Sequence, residues 1–346
     1  MNSEFKSITQ PLSNTINIGG TEYLYFGGTA YLGIPQNLEF INLFCEGIKK
    51  FGLNNGTSRS NNIQLGIYDE AEKIAAERFG SEDALITSSG YLAAQLTVKG
   101  LSDFGEVIYA PSCHPALWLE DQVSNSKLFS EWREETLTLI NDAKEKKWVL
   151  ISNSMNNLFP EIYDFGFLEE IHDDKNVTLI VDDSHGIGVN NGGLGSFVNL
   201  PKKENIECVV VASMAKALGL DAGLVLGSRK IIQMLKRTNT FIGASPPAAA
   251  GLYAFIKSEH IYKEAWNKLQ ENIRFLSAEI TIDFEYQAGF PVYRFNDVSL
   301  ADRLLKCKIL ISSFPYPNEN SDLVTRIVLS SWHSPADIKY LASFLE

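Results

Sequence analysis

The sequence predicts an α/β protein whose mostly parallel sheet is covered on both faces, followed by a smaller α+β segment. Three observations carry this reading. From about residue 70 to 227, short apolar runs alternate with helix-like or turn-rich stretches, the pattern of a mostly parallel, two-sided sheet. Residues suited to chemistry fall just past several of those runs, where ligands bind on open α/β sheets. After Pro246 and Pro247 the alternation stops and a long helical stretch begins.

Taken in order, 69–79 has helical spacing, with Ala71, Ile74, Ala75 and Phe79 along one face. Strand-like apolar runs follow at 84–87, 107–109, 148–151, 177–181, 208–212 and 223–226, separated by stretches such as 134–147 and 168–173. Residues 248–275 read as a long helical region broken near Ser258. Strand candidates then occupy 291–295, 309–312 and 325–329. A closing helix spans 334–345, with Ser334 as N-cap and Pro335 at the first helical position. The expected division is an N-terminal arm over 1–28, a large domain over 29–239 and a small C-terminal domain over 240–346.

A chain of 346 residues is long enough for two such units, each with its own core. Its 45% hydrophobic and 21% charged content suits an ordinary globular protein. The net charge of −12 argues against a nucleic-acid or anionic-membrane surface, since either needs a basic patch. Cys45, Cys113, Cys208 and Cys307 are scattered, with no Cys-x-x-Cys pair and no histidine cluster at ligand spacing. They read as reduced thiols, with no metal site expected. The start of the chain lacks a signal-peptide pattern and no apolar run reaches membrane-spanning length. A cytoplasmic location is expected.

The chemistry centres on Lys216. It stands in a small-residue turn, Ser213-Met214-Ala215-Lys216-Ala217-Leu218-Gly219, just after the run 208–212. The run 177–181 ends in Asp182-Asp183-Ser184-His185-Gly186. A carboxylate and a histidine at one strand end, with a lysine after the next strand, suit pyridoxal 5'-phosphate. Lysine carries that cofactor covalently, and a carboxylate keeps its pyridine nitrogen protonated. Ser89, Gly90 and Tyr91 open a helix after the run 84–87. The unpaired N–H groups and dipole of a helix start make a phosphate seat. Ser213 would add a hydroxyl to the same phosphate.

Read together, Tyr31-Leu32-Gly33, Gly56-Thr57-Ser58-Arg59, Glu82 to Leu85 with Ser88 to Tyr91, and His114 form one set with residues further along. These are Val181 to Gly188, Gly192 to Gly195, Lys216, Ser245-Pro246-Pro247 and Arg326 to His333. The set resembles the α-oxoamine synthase branch of the fold-type-I pyridoxal phosphate enzymes. That branch, within the class I and II aminotransferase superfamily, includes 8-amino-7-oxononanoate synthase, 2-amino-3-ketobutyrate CoA ligase and serine palmitoyltransferase. The resemblance runs from about Thr29 to the C-terminus. It implies a seven-stranded, mostly parallel sheet in the large domain.

The resemblance implies roles as well. Lys216 would hold the cofactor and serve as general base, Asp182 would pair with the ring nitrogen, and His185 would hydrogen-bond the ring oxygen. His114 would stack on the ring and orient the substrate carbonyl, and Asn157 would also donate to the ring oxygen. Thr29 would lie at the substrate, and Arg326 would grip the amino acid's carboxylate, which suits a guanidinium fork. Ser245 would reach the phosphate of a neighbouring subunit, implying a homodimer with shared sites. The implied reaction condenses a small amino acid with an acyl thioester, with loss of CO2, to an α-amino ketone.

The pattern also departs from the family. An asparagine of its Asn-Asp-Tyr-Leu-Gly motif is Thr29 here, and a glycine and a histidine after Arg59 are Ile63 and Tyr68. A glutamate and a serine near the cofactor are Asn153 and Asn157. No arginine precedes Arg59, which argues against a pimeloyl thioester. Asn157 and the altered loop from Gly56 to Tyr68 keep an aminotransferase or lyase on the same fold as the alternative. A third reading is a partner subunit without catalysis, which the joint presence of Lys216, Asp182, His185 and His114 disfavours.

Overall fold

The computed structural model describes residues 5, 7–120, 127–156, 158–316 and 320–345. Each of the six apolar runs becomes a strand of one sheet. Its order is Asp83–Thr87, Gly223–Gly227, Ile206–Ser213, Asn176–Asp182, Lys147–Asn153 and Glu106–Tyr109. Six strands are present among the described residues, one fewer than the seven implied by the resemblance. Glu106–Tyr109, Lys147–Asn153, Asn176–Asp182 and Ile206–Ser213 pair in parallel. Gly223–Gly227 runs against both of its neighbours. Its connection explains this. The chain returns from Ser213 through a short turn, closed by Met214 N–H to the Ala222 carbonyl at 2.9 Å. A connection that short cannot make the crossover a parallel strand needs.

The strand interiors are buried on both faces. Val149, Leu150 and Ile151, Leu179, Ile180 and Val181, and Val209 to Ala212 are all inaccessible to water. Full burial of each large aliphatic side chain contributes about 1.5–3 kcal/mol, so these short runs hold the centre of the fold. Helix Ile67–Phe79 packs Ala71, Ala75 and Phe79 inward, leaves Ile74 half-buried, and ends at Gly80 in the left-handed region (φ 74°). Helix Gly90–Leu101 lies over Ile206–Ser213 and Gly223–Gly227.

A second six-stranded sheet runs Thr15–Ile18, Thr21–Phe26, Ile309–Pro315, Leu323–Val328, Val292–Phe295 and Glu285–Tyr286. Residues 15–26, expected as part of an arm, thus form a hairpin whose second strand lies parallel to Ile309–Pro315, with Leu24 opposite Ile309. The long helical region divides as expected into Ala249–Lys257 and Glu259–Glu279, with buried Ser258 at the joint. Helix Pro335–Ala342 is held by a capping box between Ser334 and Asp337. Helix Leu38–Phe51 adds to the elements expected from the sequence. It packs on Ala249–Lys257 so closely that a Cβ at Gly47 would lie 2.7 Å from the Ala250 Cα. No helix among the described residues is long and apolar enough to cross a membrane, and no group of three potential metal ligands occurs among them.

Candidate active site

The carboxyl ends of the central strands lie side by side. Gly223 is the register partner of both Thr87 and Ser213, and Asp182 pairs with Val211 and Asn153. Beyond Thr87 the helix Gly90–Leu101 begins. Ser89 Oγ accepts the Leu92 N–H at 3.2 Å, and the Ser89 carbonyl takes the Ala93 N–H at 3.0 Å. The first N–H groups, at Gly90 and Tyr91, stand at the open end of the helix, without intrahelical acceptors. Ser213 lies directly against this end. A Cβ at Gly90 would sit 2.6 Å from the Ser213 Cβ, so only glycine lets the helix start and the Ser213 turn approach this closely. Ser89 and Tyr91 are exposed.

Two turns are tied together next to this seat. Asp182 Oδ1 accepts the Ser184 N–H at 2.9 Å, and Ser184 Oγ accepts the Ser213 N–H at 2.8 Å. The carboxylate turn and the Lys216 turn therefore move as one piece. Burial lowers the basicity of Lys216; nearby Asp182 opposes that shift and the Arg326 guanidinium adds to it. Burial also holds His185 well below the ordinary histidine value, helped by the positive Lys216 and Arg326. His114 is lowered by burial too, with Asp182 raising it and Lys216 lowering it. In both, burial favours the neutral imidazole.

The proton positions on those imidazoles follow from their partners. His114 Nδ1 accepts the Ala116 N–H at 3.1 Å, so its proton is on Nε2. His185 Nδ1 lies 2.7 Å from the Tyr31 hydroxyl. His114 itself is held by Asn153, whose Oδ1 accepts the His114 N–H at 3.1 Å and whose Nδ2 donates to the Ser112 carbonyl at 2.7 Å.

Arg326, 9% exposed, comes from Leu323–Val328 opposite Ser312 and Arg294. Its guanidinium stands 5.4 Å from the centre of the Phe314 ring and its charge reaches Tyr25, Tyr31 and Tyr316 as well as Lys216. Thr29 is half-buried and accepts the Tyr31 N–H on its carbonyl at 2.9 Å. Lys216 is therefore within electrostatic reach of Asp182, Arg326, His185 and His114, and Ser213 adjoins Gly90. Ser245 is exposed beyond the short helix Asn239–Gly243, and no hydrogen bond among the described residues ties it to this cluster. Asn157 lies outside the described residues.

Three participants had no assigned role in the sequence. Tyr31 stands in the sequence as part of a motif and Asn153 as the replacement of a family glutamate near the cofactor, and the partners of both are distant along the chain. Asp183, 1% exposed, accepts the Ser196 N–H on Oδ2 at 2.7 Å. Its signal was its place between Asp182 and His185 at the end of a buried strand.

The donor set suits pyridoxal phosphate. A half-buried amine of lowered basicity, a carboxylate, imidazole N–H groups and an open helix start match an aldehyde, a pyridine nitrogen, a ring oxygen and a phosphate, respectively.

The chain matches the family model "Aminotransferase class I and II" over residues 30–345. It is 24% identical to the 8-amino-7-oxononanoate synthase of Petrotoga mobilis, over 96% of this chain and 89% of that one. Among solved structures, serine palmitoyltransferase from S. paucimobilis with bound PLP and myriocin superposes with a TM-score of 0.81. That match has 16% identity and covers 98% of this chain and 90% of the other. The 8-amino-7-oxononanoate synthase of Francisella tularensis matches with a TM-score of 0.68 at 20% identity, covering 93% and 96%.

Proposed function

Since the chain belongs to the class I and II aminotransferase family, we propose that it is a pyridoxal phosphate-dependent acyltransferase of the α-oxoamine synthase kind. It would join a small amino acid to an acyl thioester and release CO2, giving an α-amino ketone. The observation that carries this reading is a half-buried lysine within electrostatic reach of Asp182, His185, His114 and Arg326, in the turn whose Ser213 adjoins an open helix start. Similarity to synthases and to a palmitoyltransferase favours acyl transfer over amino-group transfer.

Pyridoxal phosphate, when bound, supplies an electron sink for negative charge at the amino acid's α-carbon. The rest falls to the chain's own side chains. Gly90, Tyr91, Ser89 and Ser213 would hold the cofactor's phosphate, Asp182 would keep its ring nitrogen protonated, and His185 would donate to its ring oxygen. Lys216 Nζ would anchor the cofactor and would serve as the base that takes the α-proton; its lowered basicity favours the unprotonated amine that both roles need. Arg326 grips the α-carboxylate and orients it for loss as CO2. His114 directs its Nε2–H toward the thioester carbonyl as charge develops there. Ser245, exposed in one subunit, would complete the phosphate seat of the other in a homodimer.

The test is to mix the purified holoprotein with glycine, alanine or serine, with and without an acyl thioester, while following CO2 release and cofactor absorbance. Thioester-dependent CO2 release that Lys216→Ala abolishes supports the reading. Conversion of the cofactor to its amine form without any thioester would make the protein an aminotransferase instead.

A further inference from the structure

We infer that Tyr31 is a positioning residue: its hydroxyl donates to Nδ1 of His185 and fixes that imidazole with its proton on Nε2. The two atoms are 2.7 Å apart. Tyr31 is 1% exposed, and its hydroxyl has no other hydrogen-bond partner among the described residues. Were Nδ1 the donor, the phenol proton would be buried with no acceptor, an arrangement folded proteins avoid. The hydroxyl therefore donates. Neither group ionises in a way that would break the pair: burial raises the phenol's pKa and lowers the imidazole's.

The donor is held rigidly. Tyr31 N–H bonds to the Thr29 carbonyl, and the Tyr31 carbonyl accepts the Ser331 N–H, both at 2.9 Å. Ser330 Oγ and Ser331 Oγ donate to the Ala30 and Leu32 carbonyls, each at 2.6 Å. The Tyr31 ring packs edge-on against Phe290 at 5.6 Å. Tyr31 thus carries the position of the segment following the Arg326 strand to the histidine at the end of the central sheet. A fixed tautomer matters because an imidazole can aim only one N–H at a time. With Nδ1 occupied by a donor, His185 always presents Nε2–H to a ligand beside Lys216. That this ligand is the ring oxygen of pyridoxal phosphate rests on the proposed function; the tautomer itself does not.

Long-range 1H–15N NMR of the full chain, with and without pyridoxal phosphate, reads the tautomer directly. The protein has five histidines, and two provide internal controls. His114 and His333 also have Nδ1 occupied, by the Ala116 and Ser330 N–H groups. The expected wild-type pattern is protonated Nε2 and bare Nδ1 at His185. In Tyr31→Phe its two nitrogens move toward averaged shifts while His114 and His333 stay in place. In the holoprotein the same variant raises the pH at which the cofactor absorbance changes by about 1 unit, the scale of one hydrogen bond. A wild-type His185 protonated on Nδ1 overturns the inference without any variant. So does a Tyr31→Phe spectrum unchanged at His185, or one in which all three histidines move together, which would leave Tyr31 a packing role alone. Failure to bind pyridoxal phosphate would count against the proposed function, while the nitrogen shifts of His185 in the apoprotein would still decide the role of Tyr31.

Discussion

Asn153 and His114 are joined where two neighbouring strands end: Asn153 Oδ1 accepts the His114 N–H at 3.1 Å, and its Nδ2 donates to the Ser112 carbonyl at 2.7 Å. One amide therefore braces the turn that aims His114. The turn needs bracing, because Ser112 sits at φ 55°, a region most side chains avoid. Asn153→Ala leaves two backbone groups unpaired and is expected to cost about 1–3 kcal/mol in urea denaturation. Asn153→Asp keeps the acceptor, loses the donor and should fall between the two. Equal stability of all three forms would remove Asn153 from this role.

Asp183 gives the protein a pH dependence opposite to that of most carboxylates. Burial raises its pKa to about 7, with Asp182 adding to the rise; the Ser196 N–H, which donates to Oδ2, opposes it. Its carboxylate is pressed between Gly186 and Gly195, where any Cβ would collide with it. Between the unfolded value near 4 and about 7, the folded chain holds a proton that the unfolded chain has released. This group's contribution to stability therefore falls as pH rises through that window and is flat above it. Asp183→Asn cannot titrate and still offers an oxygen to the Ser196 N–H. Urea denaturation at pH 5 and pH 8 should show the wild type losing stability relative to this variant, by a few kcal/mol at most. A constant difference between the two pH values would contradict the assignment.

The features legible in the sequence were the local ones. Each strand of the central sheet announced itself as a buried apolar run, and Lys216, Asp182 and Gly90 stood at the ends of such runs. Pairings across long separations were not legible. The hairpin of Thr15–Ile18 and Thr21–Phe26 joins Ile309–Pro315, and nothing within residues 15–26 specifies a partner nearly 300 positions away. Tyr31 and His185 meet for the same reason, through folding and not through spacing. The direction of Gly223–Gly227 was hidden because an apolar run shows burial and carries no sign of its sense. Helix Leu38–Phe51 went unrecognised although Asn37 caps it, its side chain accepting the Phe40 N–H at 3.0 Å.

Glu72 is shared by two cations, so their losses should not add. It bonds Arg59 at 2.6 Å and Lys236 at 2.8 Å, and accepts the Ile86 N–H at 3.0 Å. Burial holds it above the usual carboxylate range despite both neighbours. Arg59→Met leaves Lys236 in place, and Lys236→Met leaves Arg59, so each should cost about 1–2 kcal/mol. The double variant strands a buried carboxylate and should exceed the sum of the singles by about 1 kcal/mol or more. A double-mutant cycle by chemical denaturation measures the excess, and strict additivity would mean that the two cations act independently.

Gly90→Ala sets helix propensity against packing. Alanine is the better helix former by about 1 kcal/mol, so a purely local view expects stabilisation. The Cβ would however lie 2.6 Å from the Ser213 Cβ and 2.7 Å from its Cα. These atoms belong to the end of a central strand and cannot swing aside, so packing wins, with a net loss of about 1–3 kcal/mol. Gly100→Ala in the same helix is the control. Its Cβ would meet only the Leu235 Cδ2, also at 2.6 Å, and a side-chain tip can turn away. That variant should stay within about 1 kcal/mol of wild type. The two should also part in cofactor binding. Separating the helix start from Ser213 opens the proposed phosphate seat, and the Kd for pyridoxal phosphate should rise about 10-fold or more in Gly90→Ala, equivalent to about 1.4 kcal/mol, with Gly100→Ala unchanged. Absorbance titration of the apoprotein measures both. Equal affinity in the two variants would mean that the phosphate is held somewhere other than the start of Gly90–Leu101.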